Sequence, residues 1–333
     1  MTDTHTRAGV VGVGRMGTHH ARVYKELPEL DLVGVADADT SRAESTAREY
    51  GTMPMDTTEL FEVADLVSIA VPTRYHHEVA SEAIDHGVSV LIEKPFVTDP
   101  NDGYDLIQRA EDRDLVLQVG HVERFNPVVD VLHDILPDLD IIAVSARRLG
   151  PPVDRDTEDD VVMDLMIHDI DVVLSLLDSD LESVTAMAVR DGRHATAQFD
   201  FDDDIVGTVT ASRVTQEKIR DFCVTARECR VNVDYMDQSI QIHRHSSPEF
   251  LNGEDGYWFR NESIIERPMV ESGEPLKREL ASFVRAVNED QEPVVTGEDG
   301  LAALALARKI SAIATDGTEI SQTGFDIDEI QTV

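Results

Sequence analysis

The chain has 333 residues, enough for two domains with sizeable cores, and its 41% apolar content excludes a disordered protein. Asp and Glu total 66 against 29 Lys and Arg, a formal net charge of −37, so nucleic acid and anionic membrane surfaces are disfavoured as partners. Two cysteines, Cys223 and Cys229, make no disulfide framework, no apolar run is long enough for a membrane span, and Met1–Gly9 lacks a signal-peptide core, so a cytoplasmic protein is expected.

Ala8–Val13 reads as a short buried strand, followed by Gly14-Arg15-Met16-Gly17 and a helix from Thr18 to Leu27. Leu32–Ala36 is a second strand ending at Asp37. The alternation continues with helix Ser41–Tyr50, strand Leu66–Val71, helix His76–His86, strand Val88–Ile92, helix Gly103–Asp112 and strand Leu115–Val119. Apolar strands alternating with helices predict an α/β domain, a doubly wound parallel sheet over residues 1–122. After Gly120 the rhythm changes. A helix over Val161–Leu177 precedes closely spaced strands at Ser183–Arg190, His194–Phe201, Ile205–Arg213, Lys218–Thr225, Arg230–Tyr235 and Ser239–His245. Helices return at Pro275–Asn288 and Gly297–Thr315. This predicts a second, α+β domain over 123–333 with a mostly antiparallel sheet.

Three motifs carry chemistry. Gly12-Val13-Gly14-Arg15-Met16-Gly17 is G-x-G-x-x-G between a strand and a helix, with Asp37 at the end of the next strand. Glycines there allow a tight turn and close approach of a pyrophosphate to the helix N-terminus, and Asp37 suits the adenosine ribose hydroxyls. A carboxylate at that position favours NAD over NADP; Arg42, nearby in sequence, is the residue that would instead take a 2′-phosphate. Next, Glu93-Lys94-Pro95 directly follows a strand, at the sheet edge where ligands bind. A lysine there suits a substrate hydroxyl and its proton, with a surface lysine beside a glutamate as the plain alternative.

The helix Val161–Leu177 is apolar nearly all round, yet carries Asp164, His168, Asp171 and Ser175 at i, i+4, i+7 and i+11. Burying such a stripe without partners is costly, so it is expected to line a cleft, where Asp164 and His168 suit a proton relay. A pair of structural hydrogen bonds between domains is the alternative. No third ligand stands at metal-binding spacing, so no metal is expected.

Together with Val71-Pro72-Thr73-Arg74-Tyr75-His76, these motifs resemble those of the glucose-fructose oxidoreductase/inositol dehydrogenase (Gfo/Idh/MocA) superfamily of NAD(P)-dependent sugar dehydrogenases, over essentially the whole chain. The resemblance implies a Rossmann domain followed by a domain with a large open sheet that packs against another subunit, in a homodimer or homotetramer. It makes Lys94, Asp164 and His168 the catalytic set. It places Gly12, Gly14, Arg15, Met16, Gly17, Asp37, Pro72, Thr73, His76, Glu93 and Lys94 around the cofactor. Val-Pro-Thr stands where the family has Thr-Pro-Asn, which bears on the nicotinamide contact.

Gly120–Pro127 (G-H-V-E-R-F-N-P) and Arg147–Pro152 (R-R-L-G-P-P) look most like the branch that oxidises UDP-N-acetylglucosamine at C3, whose 3-keto product passes to an aminotransferase. A nucleotide sugar brings negative charge to an acidic protein, and Arg forks suit phosphate oxygens. Arg124, Arg147, Arg148 and Arg155 cluster in sequence, with Arg124 and Arg148 the expected substrate contacts beside Lys94, Asp164 and His168. The plain alternative is that these arginines pair with surface acids. Two other functions compete, a dehydrogenase of a free sugar or inositol and a non-catalytic NAD-binding regulator; the intact Lys94, Asp164 and His168 argue against the regulator. Finally, the acids are dispersed along the chain and only five of the cations are lysines. At ~1 M salt the Debye length is ~3 Å, so such a surface suits a halophile's protein.

Overall fold

A computed structural model describes residues 5–152, 160–245, 249–253, 256–260 and 263–316. Six short strands form the first sheet: β1 (Thr6–Val11), β2 (Leu30–Ala36), β3 (Met53–Pro54), β4 (Leu66–Ile69), β5 (Ser89–Glu93) and β6 (Leu117–Gly120). Every pairing is parallel and the order is β3-β2-β1-β4-β5-β6. β4 and β5 are buried along their whole length, which explains why apolar residues dominate them. The strand order reverses between β1 and β4, and the crevice outside their carboxyl ends is where such sheets bind ligands.

The connections are α1 (Arg15–Glu26), α2 (Thr40–Tyr50), α3 (Thr57–Val63), α4 (His76–Asp85) and α5 (Pro100–Glu111). Side chains close the starts of three of them. Asp39 accepts from Ser41 and Arg42 N–H, Asp56 and Glu59 make a reciprocal capping box, and Asp99 accepts from Asn101 N–H. α1 begins at Gly14 with no side-chain cap, leaving its first N–H groups for something else.

The next segment holds α6 (Pro127–Ile135), β7 (Ile141–Leu149) and a π-helical turn, Val162–Met166, that runs into α7 (Ile167–Leu176). Strands follow at β8 (Leu181–Val189), β9 (His194–Phe201), β10 (Ile205–Ser212), β11 (Ile219–Ala226), β12 (Arg230–Asp234), β13 (Ser239–His245), β14 (Glu249–Gly253), β15 (Gly256–Arg260) and β16 (Ser263–Glu266). Eight of them make one sheet in the order β16-β13-β12-β11-β7-β10-β9-β8, while β14 and β15 pair separately. The large sheet is antiparallel except where β10 runs parallel to β7. β7, absent from the sequence reading, is thus an interior strand of this sheet. Its Arg147-Arg148 pair breaks the apolar pattern that would have marked it.

Two further helices follow, α8 (Pro275–Glu289) and α9 (Gly297–Asp316). The described residues form two compact units. One runs to Phe125 and takes in Glu274–Ala305; the other holds Asn126–Gly273 and resumes at Leu306. A single boundary after residue 122 does not describe this return. Leu276, Leu280, Phe283 and Val284 form one apolar stripe on α8, and they are buried in the same cluster as Val10, Val23, Tyr24 and Leu91.

Candidate active site

The carboxyl edge of the parallel sheet collects the first set of functional residues. Gly12 N–H donates to Ala36 C=O at 2.8 Å, drawing the turn after β1 against the end of β2. Gly12 adopts φ 84°, and a Cβ there would lie 2.7 Å from the Val71 nitrogen. A Cβ at Gly17 would overlap the Gly12 carbonyl oxygen, so both positions require glycine. Beside Gly14 the space is open. Arg15 is exposed, and Met16 packs against the core under the turn.

Asp37 is fixed at the end of β2. Its carboxylate accepts from Val13 N–H and Asp39 N–H, each at 2.8 Å, and Arg42 lies 3.3 Å away. Arg42 is therefore held by the acid in this structure. These features fit a dinucleotide: an uncapped helix N-terminus for its pyrophosphate, a glycine turn with open space beside it, and a carboxylate with spare lone pairs for ribose hydroxyls.

Glu93 ends β5, and Lys94 follows it half-buried. The Glu93 side chain turns inward, where His20 Nε2–H of α1 donates to its Oε1 at 2.9 Å. Burial pushes the Glu93 carboxyl upward, but the His20 hydrogen bond and the neighbouring Lys94 prevail and hold it below the usual carboxylate range. His76, expected beside the cofactor, is buried. Its Nδ1 lies 3.1 and 3.0 Å from the Pro95 and Phe96 carbonyl oxygens, and its Nε2 lies 2.9 Å from that of Val71. Burial pushes the imidazole below its ordinary value, against those carbonyls and Glu93. Pro72 is exposed and Thr73 half-buried in the single turn Thr73–Tyr75, closed by Tyr75 N–H on Pro72 C=O at 2.9 Å.

The second set lies in the other unit. Asp164 sits in the π-helical turn and His168 is the second residue of α7, half-buried. The turn's i→i+5 bonding means that their spacing is not one regular α-turn, and such turns recur at functional sites. Asp164 is ion-paired with Arg213, a largely buried residue just after β10. Arg213 escaped the sequence reading; its one signal was a cation at the end of an apolar strand. Asp171 is buried, and the Ser175 hydroxyl donates to the Val172 carbonyl at 2.9 Å. The polar stripe therefore does not continue as an open surface.

Arg148 requires a correction. It is 2% exposed, and its Nε and Nη2 donate to the two oxygens of Asp169 at 2.9 and 2.8 Å. The Nε–Nη2 edge of this fork is taken up by Asp169 inside the protein, where an unpaired guanidinium or carboxylate would be costly, so the structure places Arg148 as a buried tie between α7 and β7 and not on an open surface. Arg147 pairs with Asp221 at the surface. Arg124 is largely buried, 3.9 Å from Asp299. Arg155 lies outside the described residues. Among the described residues no group of three or more His, Cys, Asp or Glu is arranged to hold a metal ion.

Residues 6–121 match the Gfo/Idh/MocA oxidoreductase family with NAD-binding Rossmann fold, and residues 143–234 match the Gfo/Idh/MocA C-terminal domain. A UDP-N-acetylglucosamine 3-dehydrogenase of Acidithiobacillus ferrooxidans is 32% identical over 92% of this chain and 96% of its own. The chain belongs to the Gfo/Idh/MocA family. It is an NAD-binding oxidoreductase of that family, with the glycine turn and Asp37 in the matched Rossmann region. An inositol 2-dehydrogenase of Rhizobium meliloti is 29% identical over 90% of this chain and 94% of its own. The solved structure of the Acidithiobacillus enzyme superposes with a TM-score of 0.81 at 31% identity, covering 93% of this chain and 97% of that one. A levoglucosan dehydrogenase in complex with NADH and levoglucosan shares the fold, with a TM-score of 0.80 at 18% identity. Among the described residues no helix is long and apolar enough to cross a membrane.

Proposed function

We propose that this oxidoreductase oxidises a sugar hydroxyl, and that its substrate is UDP-N-acetylglucosamine, oxidised at C3. The observation that carries the substrate is the end-to-end likeness to the Acidithiobacillus enzyme, at 32% identity over 92% of the chain. NAD, held by the Gly12–Gly17 turn, the start of α1 and Asp37, supplies the hydride acceptor. His168 takes the proton from the reacting hydroxyl, and Lys94 holds its oxygen and steadies the charge that develops there. Asp164, ion-paired with Arg213, orients the proton relay. Arg124, rather than Arg148, is the cation proposed for the diphosphate. Asp37 favours NAD over NADP, because a 2′-phosphate would meet its carboxylate.

Assay with NAD against UDP-N-acetylglucosamine, other UDP-sugars, free sugars and inositols, in concentrated KCl, tests the substrate. Turnover confined to a free sugar or inositol would favour the second reading, which the Rhizobium inositol 2-dehydrogenase supports at 29% identity. Lys94→Ala and His168→Ala are each expected to lower kcat by ~10²–10⁴. Wild-type turnover in both would remove these two residues from the catalytic set and point to an unrecognised site, whereas NAD binding without turnover of any sugar would favour an NAD-binding regulator.

A homo-oligomer built on the eight-stranded sheet belongs to the same proposal. Across this sheet Met187, Thr196, Thr210, Arg147 and Asp221 share one row, and Thr185, Gln198, Thr208, Ser145 and Cys223 the next. Both rows lie on one face of the sheet, and that face is the surface proposed to meet another copy. Light scattering in concentrated salt reads the assembly. The aminotransferase expected to consume a 3-keto product is a pathway partner of the same reading.

A further inference from the structure

Lys94 stands on a turn, yet proton handling needs its amine placed to within a fraction of an ångström. The residues on either side of it are held by two histidines that the mechanism does not use. Before Lys94, the Glu93 carboxylate receives His20 Nε2–H at 2.9 Å. His20 is wholly buried, and its Nδ1 has no hydrogen-bond partner. The ring is thus committed to Glu93 alone. It belongs to α1, the helix whose uncapped start faces the nucleotide turn. After Lys94, His76 of α4 lies against the Pro95 and Phe96 carbonyl oxygens through Nδ1 and the Val71 carbonyl oxygen through Nε2. A neutral ring has one N–H, so it donates to one side and packs against the other.

We propose that His20 and His76 are positioning residues for Lys94: His20 anchors the strand end before it to the nucleotide-binding helix, and His76 anchors the turn after it to the loop following β4. The geometry makes α1 serve two sites, its first turn the dinucleotide and its second turn the Glu93–Lys94 junction. This rests on the reading that Lys94 acts on the substrate hydroxyl.

The first readout needs no substrate. Hydrogen exchange of the NAD-free protein is followed by mass spectrometry on peptides covering Glu93–Val97 and the Gly12–Gly17 turn. His20→Leu and His76→Leu are expected to speed exchange in Glu93–Val97 by about tenfold or more, leaving the glycine turn unchanged. Because His20→Leu strands a buried carboxylate and could fail to fold, His20→Leu/Glu93→Met removes the tie while leaving an apolar pair of similar bulk. It is expected to melt near wild type and still show the faster exchange. His20→Gln, whose amide N–H can replace Nε2–H, is expected to restore slow exchange. In turnover of UDP-N-acetylglucosamine, His20→Leu should lower kcat by ~10–10² with the NADH Kd within about twofold, and His20→Gln should recover most of the loss. Unchanged exchange in Glu93–Val97 in both leucine variants, a uniform rise across the Rossmann unit, or a glutamine variant no better than leucine would overturn the proposal. Lys94→Ala, assayed alongside, separates the two ideas: full turnover there sinks the role of Lys94, while the exchange data decide the brace independently.

Discussion

Replacing Arg148 by Met tests whether this arginine binds substrate or holds the fold. The side chains of Arg148 and Asp169 are 2% and 1% exposed and share two hydrogen bonds of 2.9 and 2.8 Å. Removing the guanidinium leaves the Asp169 carboxylate buried without its counter-charge, a change that costs about 3–5 kcal/mol for such pairs. In a unit of this size 1 kcal/mol moves the melting midpoint by about 2–4 °C, so Arg148→Met should melt about 6–20 °C below wild type. A buried pair is poorly screened, so the loss should persist in concentrated KCl, whereas the exposed Arg147–Asp221 pair should matter little there. Arg148→Met/Asp169→Leu replaces both charges with apolar groups and should recover most of the midpoint. Calorimetry on wild type and the two variants gives the midpoints, and steady-state kinetics gives KM for the sugar. A midpoint within about 2 °C of wild type, together with a raised KM, would return Arg148 to the substrate site and refute the reasoning.

Asp37→Ser should narrow or reverse the preference for NAD, because it removes the carboxylate and releases Arg42, now 3.3 Å from it, toward a 2′-phosphate; paired Kd values for NADH and NADPH measure this, and tighter NADPH binding by wild type would contradict it. Glu93, held below the usual carboxylate range, adds stability that is complete above its unfolded value and disappears as pH falls through its folded value. The midpoint advantage of wild type over Glu93→Gln should therefore shrink between about pH 5 and pH 2, and an advantage growing toward acid would reverse the assignment. With a net charge of −37, the protein should gain stability steeply from dilute buffer to several molar KCl; a midpoint indifferent to salt would refute the halophilic reading of its surface.

The amino-acid sequence alone determined what depends on short stretches of chain. A glycine turn between an apolar strand and a helix, an acid at the next strand end and Glu93-Lys94 after another strand each declare their place locally, because strand, turn and helix preferences act over a few residues. The parallel sheet followed from alternating elements in the same way. The tertiary structure decided the partners of buried polar groups. His20 meets Glu93 across 73 residues, Asp164 meets Arg213 across 49, and Arg22 of α1 reaches Glu274 just before α8 across 252. It also decided that Arg148, which in sequence looks like a phosphate ligand, is satisfied by Asp169. A guanidinium carries the same charge and fork wherever it stands. Whether it faces a ligand or an internal carboxylate depends on which side chain the fold brings to it, and local spacing does not encode that.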